Sequence, residues 1–216
     1  MNFRAVIFDI DGTLLDTLQD IANSANRALF KFGFAQHQVA AYKYFVGDGM
    51  EALAFRVLPE DRRDKDTVAK MIEAINAEYS EHWTDTTRPY PGIPELLQKL
   101  TELGIKFAAL SNKPDGSALM TVTRFLPGYH FEFIFGVSPS RPRKPDPSGA
   151  IEIASKLNIP VKKFLFVGDT NTDMETAVAA GMYPAGVLWG FRNPDELLAS
   201  GARALISNPL EVLKIV

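Results

Sequence analysis

The chain opens on an unbroken apolar run. Ala5, Val6, Ile7 and Phe8 are consecutive, and Asp9, Asp11, Gly12 and Thr13 follow within five residues. A short, bulky run without alternation predicts a strand buried on both faces. From Leu18 the period changes: Leu18, Ile21, Ala22, Ala25, Ala28, Leu29 and Phe32 recur every three or four positions before Gly33. That spacing predicts a helix over 16–32. Further helices are expected over 36–45, 50–58 and 63–83, with no strand-like alternation among them. Arg88-Pro89-Tyr90-Pro91-Gly92 is stiff, turn-rich punctuation.

Beyond it, short strands and helices take turns. Strands are expected over 105–110, 133–137, 164–167 and 185–188, with a short one at 204–206. Helices are expected over 93–103, 116–126, 148–157, 174–180 and 194–199, with a last one near 209–213. Such alternation predicts an α/β fold with a parallel sheet and right-handed crossovers. The expected division is a core from 1–15 and 88–216, and an all-helical insertion over 16–87. Open sheets of this kind bind ligands at the switch point, outside the carboxyl ends of the strands. The first strand and the 164–167 strand are therefore expected to be neighbours, which would bring Asp9, Asp11 and Asp169 together.

Composition narrows the function. The 216 residues are 46% hydrophobic and carry a formal charge of −3, with no basic stripe to suggest nucleic acid. There is no cysteine, so disulfides, thiolate metal sites and a cysteine nucleophile are excluded, and a reducing cytoplasm is the expected location. The first apolar run is too short for a leader or a membrane span, so no membrane partner is expected. His37, His82 and His130 are isolated in sequence, and neither a P-loop nor a G-x-S-x-G elbow occurs.

The acidic positions carry the chemistry. Asp9 and Asp11 repel each other at a strand end, and a divalent cation is the simplest compensation. Gly12 allows a turn tight enough for the Ile10 and Asp11 amides to face an anion. Ser111-Asn112 ends the second core strand. Lys144 precedes Pro145-Asp146-Pro147, and Gly168-Asp169-Thr170-Asn171-Thr172-Asp173 ends the 164–167 strand. Arg141 and Arg143 read as surface charge. Oxygen-only donors, few in number, favour Mg²⁺.

Asp9-Ile10-Asp11-Gly12-Thr13 resembles the first motif of the haloacid dehalogenase-like (HAD) phosphohydrolases. Ser111-Asn112, Lys144 and the Gly168–Asp173 run are similar to the second, third and fourth, so the resemblance covers the whole chain. It is strongest to the bacterial phosphoglycolate phosphatases. It implies a doubly wound, Rossmann-like sheet with a helical type-1 cap after the first strand. It also implies that Asp9 is the nucleophile and Asp11 the general acid and base. Ser111, Asn112, Lys144 and the Ile10 amide would bind phosphate. Mg²⁺ would be held by Asp9, the Asp11 main-chain carbonyl, Asp169 and, through water, Asp173. Gly47 and Gly49 would form the cap loop toward substrate. The expected activity is hydrolysis of a small phosphorylated metabolite, and a monomer is compatible with it. A phosphomutase or an inorganic pyrophosphatase on the same scaffold remains open. A dehalogenase fits less well, since halide needs no proton from Asp11. A receiver-like module would carry its phospho-acceptor on a later strand and would have no cap.

Overall fold

The computed structural model describes residues 3–216. In chain order, β1 (Ala5–Phe8) and β2 (Leu15–Asp16) are followed by four helices: α1 (Leu18–Lys31), α2 (Tyr42–Phe45), α3 (Met50–Val57) and α4 (Lys65–His82). Then come β3 (Arg88–Pro89), α5 (Ile93–Glu102), β4 (Lys106–Pro114), α6 (Asp115–Phe125), β5 (Ile134–Val137) and α7 (Ser148–Leu157). The chain ends with β6 (Phe164–Gly168), α8 (Asn171–Ala179), β7 (Tyr183–Val187), α9 (Pro194–Ala199), β8 (Ala204–Ile206) and a 3₁₀ stretch, Pro209–Lys214. Two compact units result: Met1–Leu15 with Pro89–Val216, and Asp16–Arg88.

The first unit is built on a six-stranded sheet of order β5-β4-β1-β6-β7-β8, and the ladders are parallel. The sequence winds one way from β1 through β4 to β5 and the other way through β6, β7 and β8, so β1 is the switch point. Phe8 is level with Ala109 on β4 and with Val167 on β6. The residues just past these three strands therefore share one edge. The apolar run of β1 works because both faces are covered. Val6 and Phe8 join Leu96, Phe107 and Leu165 on one side; Ala5 and Ile7 join Ile153, Phe164 and Phe166 on the other.

Three strands exceed their expected length, β6 only by Gly168. β4 was expected to stop before Ser111 and instead runs to Pro114. Its pairing with β5 shifts register after Leu110↔Phe135 and resumes at Pro114↔Val137, so a bulge carries a polar stretch along the sheet. β7 begins at Tyr183, where it already pairs with Leu165 of β6; Pro184 is tolerated because it sits at the start of the β8 ladder, accepting the Arg203 amide at 2.9 Å through its carbonyl.

The second unit is helical, with α1 packed along α4. The helix expected over 36–45 is broken into a 3₁₀ turn, Val39–Ala41, and the short α2. The buried Tyr42 donates from Oη to Asn26 Oδ1 at 2.8 Å. Asp20 ties the end of this unit to α1. Its buried carboxylate accepts the Thr86 amide (3.0 Å) and hydroxyl (2.6 Å) and the Thr87 amide (2.8 Å) and hydroxyl (2.7 Å).

Candidate active site

The Asp9 amide still donates to Val167 O at 2.9 Å, so its carboxylate leaves the sheet from a fixed ladder. The chain then turns on Ile10, whose carbonyl accepts the amides of Leu14 (3.1 Å) and Leu15 (2.9 Å). Gly12 has φ +90, in the left-handed region. A Cβ there would also strike the Asp169 carboxylate, so close approach reserves the position as firmly as backbone freedom does.

Lys144 is 5% exposed, and its ammonium reaches Asp9 Oδ1 and Asp173 Oδ1, each at 2.6 Å. Asn112 fixes the main chain at this lysine. The Lys144 amide donates to Asn112 Oδ1 at 2.7 Å, and Asn112 Nδ2 donates to Lys144 O at 3.2 Å. Asp173 is held by the start of α8, where its Oδ2 accepts the Thr170 amide (3.0 Å) and hydroxyl (2.7 Å). This is a capping box, so one carboxylate both starts the helix and pairs with Lys144.

Asp169 is fully buried. Thr13 Oγ1 donates to its Oδ1 and the Phe191 amide to its Oδ2, both at 2.9 Å. Trp189 Nε1 braces Thr13 through its carbonyl at 3.0 Å. A Cβ on Gly190 would run into Asp169, and one on Gly168 into Asp173.

Asp11 stands outside this group. Its Oδ2 lies 3.2 Å from Lys113 Nζ, while its Oδ1 is buried without a hydrogen-bond partner among the described residues. Ser111 is buried, and its Oγ accepts the Lys113 amide at 3.2 Å. Gly47 and Gly49 lie in the α2–α3 loop of the helical unit with φ +113 and +89. Asp48 between them pairs with Arg56 at 2.5 Å.

Three buried carboxylates thus face one ammonium. Burial pushes Asp9 well above the usual carboxylate range; Lys144 opposes this, and Asp173, Asp169 and Asp11 add to it. Burial and the charge of Asp173 push Asp169 up to about 7, against the Phe191 amide, the Thr13 hydroxyl and Lys144. Burial alone would lower Lys144, but Asp173 and Asp9 more than reverse that and hold it charged. The cluster has an excess of negative charge. One ligand oxygen each from Asp9, Asp169 and Asp173 lie within 4.8 Å of one another. A compact, buried, all-carboxylate donor set of this kind fits a small hard cation.

Asp9, Lys144, Asp169 and Asp173 are brought together, whereas Asp11 approaches Lys113 instead. Arg141 corrects the surface-charge expectation. It is 8% exposed and bonds Asp115 Oδ1 at 2.8 Å and Glu152 Oε2 at 3.0 Å. Lys113, Thr170, Gly190 and Phe191 escaped the sequence reading as site residues. The only available signal for the last two was an aromatic-glycine-aromatic run just past a strand.

A doubly wound sheet with a buried acid–lysine cluster at its switch point defines an α/β enzyme with its site at the strand ends. The chain belongs to the haloacid dehalogenase-like hydrolase family, whose model matches residues 6–187. A phosphoglycolate phosphatase of Pseudomonas fluorescens is 30% identical to it, covering 97% of this chain and 78% of that protein. One from Aquifex aeolicus is 32% identical, covering 87% of this chain and 86% of its own length. A solved structure from Lactobacillus delbrueckii subsp. bulgaricus, provisionally assigned as a phosphoglycolate phosphatase, has TM-score 0.94 and 29% identity. It covers 100% of this chain and 98% of that one. Among the described residues, no helix is long and apolar enough to cross a membrane.

Proposed function

We propose that this chain is a Mg²⁺-dependent phosphatase that hydrolyses a small phosphomonoester of the phosphoglycolate type through an aspartyl-phosphate on Asp9. The observation that carries the reading is Lys144 held at 2.6 Å from both Asp9 and Asp173 at the switch point of the sheet. Asp9 attacks phosphorus, which splits one difficult displacement into two. Asp11 gives its proton to the leaving oxygen and then takes one from the attacking water. Lys144 offsets charge on the phosphoryl group, and Ser111, the Asn112 amide and the Ile10 amide bind its oxygens. Asp9, the Asp11 carbonyl, Asp169 and, through water, Asp173 would hold Mg²⁺, which when bound supplies counter-charge for the phosphoryl oxygens. The helical unit serves as a cap that excludes water, with the Gly47–Gly49 loop toward the substrate. The phosphoglycolate phosphatases among its relatives support the substrate class.

The test is phosphate release from a panel of phosphomonoesters, before and after treatment with EDTA. Turnover should vanish in EDTA and return with Mg²⁺, with 2-phosphoglycolate among the best substrates. Full turnover after chelation and dialysis would overturn the metal assignment. No release from any phosphomonoester would overturn the reading itself.

A further inference from the structure

We propose that Lys113 is a specificity-determining residue that selects a leaving group bearing a carboxylate, by pairing with it beside Asp11. The inference deepens the phosphatase reading and rests on it.

Three observations carry it. The first is placement. Lys113 Nζ lies 3.2 Å from Asp11 Oδ2. An oxygen that receives a proton from Asp11 must come within about 2.6–3.2 Å of that carboxylate. With Oδ2 as the donor, the leaving oxygen is therefore at most about 6.4 Å from Lys113 Nζ. A carboxylate one carbon further along the leaving group extends about 3 Å beyond that oxygen, which brings it within pairing distance of the ammonium.

The second is how firmly the lysine is set. It lies in the bulged part of β4, between Leu110 and Pro114, where an irregular register re-aims side chains. Its amide donates to Ser111 Oγ at 3.2 Å. On β5, a Cβ at Gly136 would strike the Lys113 carbonyl and the Asp115 backbone, so glycine there is what lets the two segments approach so closely. Asp115 Oδ1 accepts the Gly136 amide at 2.9 Å and Arg141 Nη1 at 2.8 Å. The Arg141 guanidinium lies over the Phe135 ring at 3.6 Å. The buried arginine thus locks the stretch that presents Lys113.

The third is charge. Lys144 is committed to two carboxylates and is 5% exposed, whereas the Lys113 side chain is 12% exposed and that of Asp11 19%. An incoming carboxylate at this more open pair gives the ammonium one anionic partner in exchange for another. A neutral leaving group offers no such exchange.

The experiment compares kcat/KM for 2-phosphoglycolate and for its neutral amide, in the Mg²⁺-loaded full chain, for wild type, Lys113→Met, Lys113→Gln and Lys113→Arg. The acid-to-amide ratio should fall by about ten-fold or more in the Met and Gln variants and recover in part in Arg. Inhibition by glycolate should weaken in parallel. A lysine that only orients Asp11 or braces β4 would slow both substrates equally. A ratio within about two-fold of wild type in both neutral variants therefore overturns the proposal while leaving the phosphatase reading intact. A wild-type protein that hydrolyses neither compound, nor any other phosphomonoester, overturns both.

Discussion

Asp169 shows how a single buried carboxylate links stability to pH and metal. Burial and Asp173 raise it to about 7, from an unfolded value of about 3.9. Between those values the folded protein keeps a proton that the unfolded chain has lost, so stability falls as pH rises. The contribution is complete below the unfolded value and is lost as pH rises through the folded one; Asp9, also raised, acts with the same sign. In EDTA, the melting temperature of wild type should fall relative to Asp169→Asn between about pH 4 and 7. A difference that stays flat over that range would show that Asp169 is not strained in the fold. Added Mg²⁺ should raise the wild-type melting temperature at pH 7.5 and lose affinity below about pH 7, as protons compete for the ligands. A second expectation separates the two aspartates of the first turn. Asp11→Asn should slow turnover by about 10²–10⁴-fold and accumulate phosphate on Asp9 with an activated aryl phosphate, read by acid quench and intact mass. Asp9→Asn should form no adduct. Phosphate on any other residue of the Asp11 variant would rule out Asp9 as nucleophile. At this scale the sequence was informative wherever a reactive residue type sat at a predicted strand end, as with Asp9 and Asp169, and at Lys144 in the Pro-rich loop before α7. It failed at Arg141 and Lys113. The partners of Arg141 come from the start of α6 and from α7, and the aim of Lys113 depends on a register shift that no local pattern announces.

Elements were legible in proportion to how apolar they are. β1 and β6 are continuous apolar runs buried on both faces, and both stood out. The far half of β4, Ser111-Asn112-Lys113-Pro114, is polar and reads as a loop until β5 is seen to pair with it. The segment after β7 was equally opaque. Nothing local says that Gly190 must let the chain pass beside Asp169, or that the Phe191 amide must donate to it. Gly190→Ala tests that role, because its Cβ would displace the Asp169 carboxylate. Supporting groups around metal ligands are typically worth 10–100-fold in affinity, so calorimetric Mg²⁺ binding should weaken by about ten-fold or more. Unchanged Mg²⁺ affinity would mean that this segment only closes the fold.

For the whole molecule, the change of period after Thr13 and the punctuation at Arg88–Gly92 carried the division into sheet and helical stretches. The switch-point rule placed β1 beside β6 although Ala5 and its partner Phe164 are far apart in sequence. What no pattern could say is whether the helical unit takes part in chemistry, since its buried residues serve its own packing first. Excision separates the two roles. The Tyr90 amide donates to Leu14 O at 3.1 Å, so the two ends of the sheet unit are adjacent. A linker of about four residues should then replace Asp16–Arg88 without strain. The sheet unit has its own two-sided core, and none of its buried acid–lysine cluster comes from the excised stretch. The shortened protein should therefore fold, show a Mg²⁺-dependent rise in melting temperature, and still release phosphate from an activated aryl ester. Its kcat/KM for 2-phosphoglycolate should fall by about 100-fold or more, because water is no longer excluded and the leaving group loses its enclosure. Wild-type efficiency on the small substrate would show that the helical unit is not a cap. A shortened chain that folds but no longer responds to Mg²⁺ would show that the cation site is not confined to the sheet unit.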